Sequence, residues 1–392
     1  MNEIKNEKAP NDYIIVILAA ACGTIVANLY YAQPLIASIG MDLGLPLSFA
    51  GVIVTFTQIG YVLGLLFLVP LLDLVENHRL VIFTMMIAVA ALIVSAVSKS
   101  AAIFLLAAVA VGLGSTATQI LVPYAAYLSD EANRGKTVGK VMSGLLLGIM
   151  LARPVSGFIA GIWGWQAVFL ISAAVTVVLG IVLALTLPKR KPDAGIKYKA
   201  LLYSLWLLFK DTPILRRRAF YQAALFGSFS LFWAAVPLWL ADNFGLTHQG
   251  VALFSLAGVA GAIAAPIAGR FADRGETAPL TGAAMITAMI SFIGAAIFTG
   301  KSAIALAILV LCAILLDMAV SGNLVLSQRI IYSLGDKVRG RLNGVFMALF
   351  FVGGATGSLL GSWSYSYGGW LLTALVGGAM AAASLLYYFT ES

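Results

Sequence analysis

Glu131-Ala-Asn-Arg-Gly-Lys-Thr-Val-Gly-Lys-Val-Met142 and Asp336-Lys-Val-Arg-Gly-Arg-Leu-Asn-Gly-Val-Phe-Met347 are one pattern written twice, 205 residues apart. Glu131 falls on Asp336, Arg134 on Arg339, Gly135 on Gly340, Lys136 on Arg341, Gly139 on Gly344 and Met142 on Met347. The register continues through Gly148 on Gly353 to Gly164-Trp165 on Gly369-Trp370, without a gap over about forty residues. A second echo, at an offset of 200, sets Asp73 on Asp273 in loops that follow corresponding apolar runs. Both echoes put corresponding segments on the same side of whatever those runs cross. The halves are therefore parallel repeats related by an axis along the membrane normal, with a central site between them as the natural consequence.

What the runs cross follows from composition. Of 392 residues, 61% are hydrophobic and 10% charged, whereas a soluble domain needs about 25% charged. Apolar runs occur at 13–36, 48–71, 79–98, 101–128, 137–161, 165–187, 219–241, 248–269, 279–299, 302–327, 342–365 and 369–389. These twelve runs have the ~20 residues a membrane helix requires, and they are too long and too continuously apolar for barrel strands. The first is not a cleavable signal peptide, because the mixed segment Met1–Asp12 precedes it and no small-residue cleavage pattern follows. The expected fold is all-α and integral to the membrane, twelve transmembrane helices in two parallel six-helix repeats. Residues 1–187 form the first half, 188–218 a cytoplasmic linker and 219–392 the second half.

Orientation is carried by the basic residues. With the N-terminus inside, 21 of the 24 Lys and Arg fall on the cytoplasmic side, only Lys99 and Lys301 fall opposite, and Arg153 is left within the fifth run. That asymmetry predicts a multi-pass protein of the bacterial inner membrane with both termini cytoplasmic. The net charge of +8 is then a topology signal, and the basic linker suits anionic lipid headgroups better than nucleic acid. Within it, Tyr198–Asp211 suits either a helix on the membrane surface or one packed on the bundle.

Composition also excludes chemistry. Cys22 and Cys312 lie inside apolar runs, which offers neither a disulfide framework nor a thiolate site. His78 and His248 fall in connecting loops, and no HExxH, GxSxG, CxxC or phosphate-loop pattern occurs. No cofactor, metal or enzymatic activity is expected.

Against this background, Gly269-Arg-Phe-Ala-Asp-Arg-Gly275 resembles the loop signature of the major facilitator superfamily, and the resemblance covers the whole chain. The first-half copy, Pro70 to Arg79, keeps Asp73 and Arg79 but lacks the glycine and the immediately following arginine. The resemblance implies a cytoplasmic gate built from Asp73, Arg79, Asp273, Arg274, Arg134 and Arg339. The fifth run resembles the antiporter motif of the drug:H+ exporting branch at Gly139, Gly148, Pro154 and Gly157, while Arg153 and Phe158 replace two of its glycines. Pro154 and Gly157 are expected to kink that helix. Small residues spaced by four in the second, fifth, eighth and eleventh runs permit close packing, and the family resemblance places those helices between the halves. In the fourth run Ala108 stands where the family pattern has a proton-linked arginine.

A charge at the bilayer centre persists only when it faces protein or water. Arg153 and Asp317 are the two that qualify, with Arg153 some ~24 Å along its helix at 1.5 Å per residue. Asn28, Tyr31, Gln33, Gln58, Gln119, Gln222, Trp233 and Ser321 complete the candidate substrate or coupling set. The sequence thus reads as a secondary active transporter of a small molecule, acting as a monomer by alternating access, exporting its substrate and coupled to protons through Asp317. An uptake symporter or an uncoupled facilitator is the alternative within transport, and a polytopic membrane enzyme is the alternative outside it.

Overall fold

The computed structural model describes residues 12–129, 133–189, 192, 197–273, 276–335 and 338–391. Among them, nine helices are long and apolar enough to cross a membrane: Leu47–Asp73, Asn77–Val97, Ala101–Leu128, Lys136–Trp163, Trp165–Thr186, Pro213–Phe244, Thr277–Ile297, Ala303–Tyr332 and Arg339–Tyr388. The difference from twelve runs has local causes. Arg339–Tyr388 contains both the eleventh and twelfth spans, divided at Gly369, whose φ of 60° and ψ of −157° break the helical path. Gly164, its repeat equivalent, has a φ of 81° and turns the chain between spans five and six. Only glycine adopts such angles without strain.

The other two spans are interrupted. Span one is helical over Asp12–Ala27 and then turns into Gln33–Leu35 and Ile36–Asp42. Pro34 cannot donate to a preceding carbonyl, so a regular helix does not continue through it. Span eight comprises His248–Ser255, a tighter turn at Leu256–Val259, and Ala260–Asp273. Span two also changes pitch, with a wider π-type turn at Gly64–Leu68 before Val69–Asp73.

Within each half the first and fifth spans press backbone on backbone. A Cβ at Gly148 would lie 2.0 Å from the Gly23 carbonyl oxygen, and one at Gly357 would lie 1.9 Å from that of Gly227. Small residues here allow the close approach that drives helix association in lipid, where no hydrophobic gain separates helix from lipid. This corrects the sequence expectation for the small-residue stripes, most of which pack inside a half. Gly60 meets Val109, Gly144 meets Ala19, Gly261 meets Ser321, and Gly353 meets Ala223. Gly157 and Gly161, by contrast, do receive span eight at Ala252 and Gln249. Pro154 is contained in the continuous helix Arg134–Trp163, and Gly157 serves approach, since its Cβ would sit 2.8 Å from Ala252 Cβ.

Between described residues, the hydrogen bonds that join the halves all lie from mid-depth toward the end remote from the termini. Ser38 Oγ meets His248 Nε2 at 3.2 Å, and Gly51 N donates to Ser362 Oγ at 2.8 Å. Thr55 Oγ1 donates to the Ala355 carbonyl at 3.0 Å and also meets Ser358 Oγ, while Gln58 Nε2 reaches Ser230 Oγ at 3.4 Å. Toward the terminus end, a Cβ at Gly139, Gly340 or Gly344 would meet nothing within 4 Å. There the linker helix, Tyr198–Asp211, touches both halves: Tyr198 donates to the Phe67 carbonyl, and Arg341 donates to Ser204 Oγ. It buries Leu201 and Leu205 on the bundle and leaves Tyr203 and Trp206 exposed.

Candidate functional site

Four of the residues singled out in the sequence converge at mid-depth, two from each half. The turn after span one carries Tyr30 and Gln33 against span five, where Gln33 Oε1 accepts from Arg153 Nε at 2.6 Å. The Arg153 guanidinium then enters an aromatic box, 4.4 Å from the Trp233 ring centre, 4.9 Å from Phe229 and 5.3 Å from Tyr30. The electron-rich faces of such rings offset part of the cost of removing a cation from water. The indole N–H of Trp233 donates to Asp317 Oδ1 at 3.0 Å. Trp233 therefore joins the one charge to the other, touching Arg153 with its face and Asp317 with its edge.

Arg153 and Asp317 are each 2% exposed. The described ion pairs are Arg79–Glu76, Lys140–Asp12 and Arg218–Glu391, and these two make none with one another. Instead both border Gly258, in the break of span eight. A Cβ there would lie 2.6 Å from Asp317 Oδ2 and 3.2 Å from Arg153 Nη1. Arg153 Nη2, Gln33 Nε2 and Asp317 Oδ2 are buried with no hydrogen-bond partner among the described residues. Buried polar atoms are nearly always satisfied, and each exception calls for an explanation. Three such atoms lie here within two hydrogen-bonded pairs, Arg153 with Gln33 and Trp233 with Asp317.

The remaining candidates do not join this cluster. Gln58 lies nearby on the seam, its Oε1 unpartnered and 2.7 Å from where a Gly354 Cβ would stand. Gln119 donates to Tyr61 Oη at 3.0 Å, inside the first half. Gln222 locks span seven to span ten by donating to the Val320 carbonyl and accepting from Asn323 Nδ2 at 2.6 Å. Asn28 accepts from Ser172 Oγ at 2.6 Å, and Ser321 faces Gly261. Tyr31 borders a cleft of about 420 Å³ between spans one and five, far more apolar than polar in its lining. Sequence reading missed Tyr30, Phe229 and Gly258. Phe229 and Trp233, four apart on span seven, share a helix face, which was the available signal. Gly258 gave none, since only the fold shows what stands opposite it.

At the terminus end the first-copy charges pair locally. Arg79 pairs with Glu76 at 3.1 Å, and Asp73 is exposed with no ion pair among the described residues. The reason is local: Glu76 stands three residues before Arg79, the spacing at which side chains on one helix face meet. In the second copy, Arg339 donates to the Tyr332 carbonyl at 3.3 Å. The side chains of Arg134 and Asp273, and Arg274 altogether, lie outside the described residues.

Two repeated helical halves, joined at one end around buried charges at mid-depth, define a class: polytopic membrane carriers. The chain belongs to the major facilitator superfamily, whose model matches residues 15–310 and 218–392. It is 38% identical over 377 residues to an uncharacterized transporter, YgaY, of Escherichia coli O157:H7, covering 96% of this chain and 95% of that one. It is 30% identical over 369 residues to the probable transporter SCO4007 of Streptomyces coelicolor, covering 93% and 84% respectively. Among solved structures it resembles a bacterial homologue of the human lysosomal transporter Spinster, described as inward-facing and unoccupied. The TM-score there is 0.76, with 14% identity over 97% of this chain and 96% of that one. The chain is a multi-pass membrane transporter of small molecules and not an enzyme.

Proposed function

We propose that this protein is a secondary active transporter of the bacterial inner membrane, exporting a small molecule by alternating access and coupled to protons through Asp317. One observation carries the reading: buried, incompletely paired charges from both halves meet at mid-depth, in a bundle whose halves are hydrogen-bonded, between described residues, from there to one end. Separating the halves at that end pulls Arg153 and Gln33 away from Trp233 and Asp317, so the site changes sides and partners in one motion. The twenty-one basic residues that the sequence assigns to the terminus side support a cytoplasmic assignment for it, which makes the present state cytoplasm-facing. The likeness to an inward-facing structure agrees.

Asp317 is the carboxylate at depth, held by one neutral donor and with one oxygen free. Such a group can bind a proton on one side and release it on the other as its surroundings alternate. Export is supported by the antiporter-like glycines and proline of span five. The gate residues Asp73, Asp273, Arg79, Arg274, Arg134 and Arg339 are assigned to closing the cytoplasmic end in the opposite state, when that end comes together. Proton flux in proteoliposomes, followed with a pH-sensitive dye, tests the coupling. Gradient-driven exchange in the wild type and none in Asp317→Asn is expected. Full exchange by the variant at equal reconstitution would refute it.

A further inference from the structure

The free atoms of the central site sort by chemistry. Arg153 Nη2 and Gln33 Nε2 are donors, carried on side chains already tied together by the 2.6 Å bond from Arg153 Nε to Gln33 Oε1. They form a two-pronged donor edge of the kind that takes a carboxylate. Asp317 Oδ2 is an acceptor, the carboxyl oxygen that Trp233 does not hold. Between the two stands Gly258, where the tighter turn of span eight leaves no side chain. Its Cβ would come within 2.6 Å of Asp317 Oδ2 and 3.2 Å of Arg153 Nη1, so any larger residue there would fill the gap that separates the charges. The rings of Trp233, Phe229 and Tyr30 pack around the guanidinium, and Phe254 packs on Trp233.

We propose that this site takes a short zwitterion, a carboxylate and a protonated amine on one small skeleton, with the carboxylate on Arg153 and Gln33 and the ammonium on Asp317. The inference rests on the central site being the transport site. Charge arithmetic selects the class. Arg153 and Asp317 offset one another across Gly258 in the empty site, and a zwitterion keeps site and ligand together neutral while giving each free atom an opposite partner. A monocation would leave the site with a net positive charge at depth, and a monoanion a net negative one unless Asp317 took up a proton. An unpaired ion in a low-dielectric interior is strongly disfavoured. The rings add apolar surface that accepts a small aliphatic or aromatic side group. Gly258 limits the skeleton to one that spans the gap without a bulky substituent on that side.

The test uses the purified full chain in detergent. The common α-amino acids, β-alanine and γ-aminobutyrate are screened for thermal stabilisation, and the strongest binder is titrated by calorimetry beside its deaminated and decarboxylated analogues. At least one zwitterion should stabilise the protein, and each analogue should bind tenfold or more weakly. Asp317→Asn, nearly isosteric, should weaken the zwitterion at least tenfold, and Gly258→Val should abolish binding while the protein still unfolds cooperatively. If the anion binds with a proton on Asp317 instead, Asp317→Asn will bind the deaminated analogue as well as or better than wild type does. That result, equal affinity for either analogue, or no stabilisation by any zwitterion overturns the proposal. Alternation is measured without ligand, by the reaction of each end of the bundle with impermeant maleimides. A chain that alternates but binds no zwitterion sinks this inference alone, and one that binds but never alternates sinks the transport reading.

Discussion

Gly51→Ala is the smallest change that should drive the two halves apart. Gly51 has a φ of −62° and a ψ of −19°, so alanine fits the backbone and any penalty comes from contacts. Its Cβ would stand 2.1 Å from the Ser358 carbonyl oxygen and 2.4 Å from Ser362 Oγ, both on the opposite half. A backbone carbonyl on a continuous helix cannot swing aside, so the closed end must open or strain. Overpacking of this kind costs about 1–3 kcal/mol. That penalty falls only on the state in which the ends are joined, and moves the balance toward the opened state by a factor of roughly 5 to 150. Spin labels on Met41→Cys and Tyr367→Cys, both strongly exposed at that end, report the separation by double electron–electron resonance. The two native cysteines are buried, which limits background labelling. Gly148→Ala is the control, because its Cβ would strike Gly23 within one half and should lower stability without changing the separation. An unchanged distance distribution in Gly51→Ala, at unaltered thermal stability, would refute the account of the seam.

Three further outcomes are expected. Arg153→Lys keeps the charge but loses the planar fork and its ring stacking; it should shift the pH dependence of flux, whereas an identical profile would show that Arg153 does not act on Asp317. A phosphatase fused after residue 392 should be inactive and a fluorescent protein there bright, as a cytoplasmic C-terminus requires; an active phosphatase would reverse the sidedness. Asp73→Asn and Asp273→Asn should raise the reaction of cysteines in the cytoplasmic cavity by favouring the state already open on that side, and no change in either would remove that copy from the gate.

How much of this was legible from residues alone depends on the range of the physics. Span number, helical class and the repeat are local or periodic properties, set by runs of apolar residues long enough to cross lipid and by a pattern copied at a fixed offset. Arg153 and Asp317 stood out because lipid makes an ionisable residue at depth costly wherever the chain later puts it. Their relation was not legible. Depth along two separate helices does not say whether side chains meet, and here they share a border at Gly258 while Trp233 touches both. Glycine stripes behaved similarly: spacing by four announced close packing, yet only the fold decided that Gly148 faces its own half and Gly157 the other. Gln222 and Gln119 looked like cavity polar groups, but each found a partner within its own half, because any buried amide seeks hydrogen bonds and the nearest donors and acceptors are tertiary neighbours. The sequence by itself determined what must be buried in the membrane and how often the chain crosses it. Which buried groups would be left unpaired, and which end of the seam would be closed, were decided only when two halves packed against one another, since both depend on contacts between residues far apart in the chain.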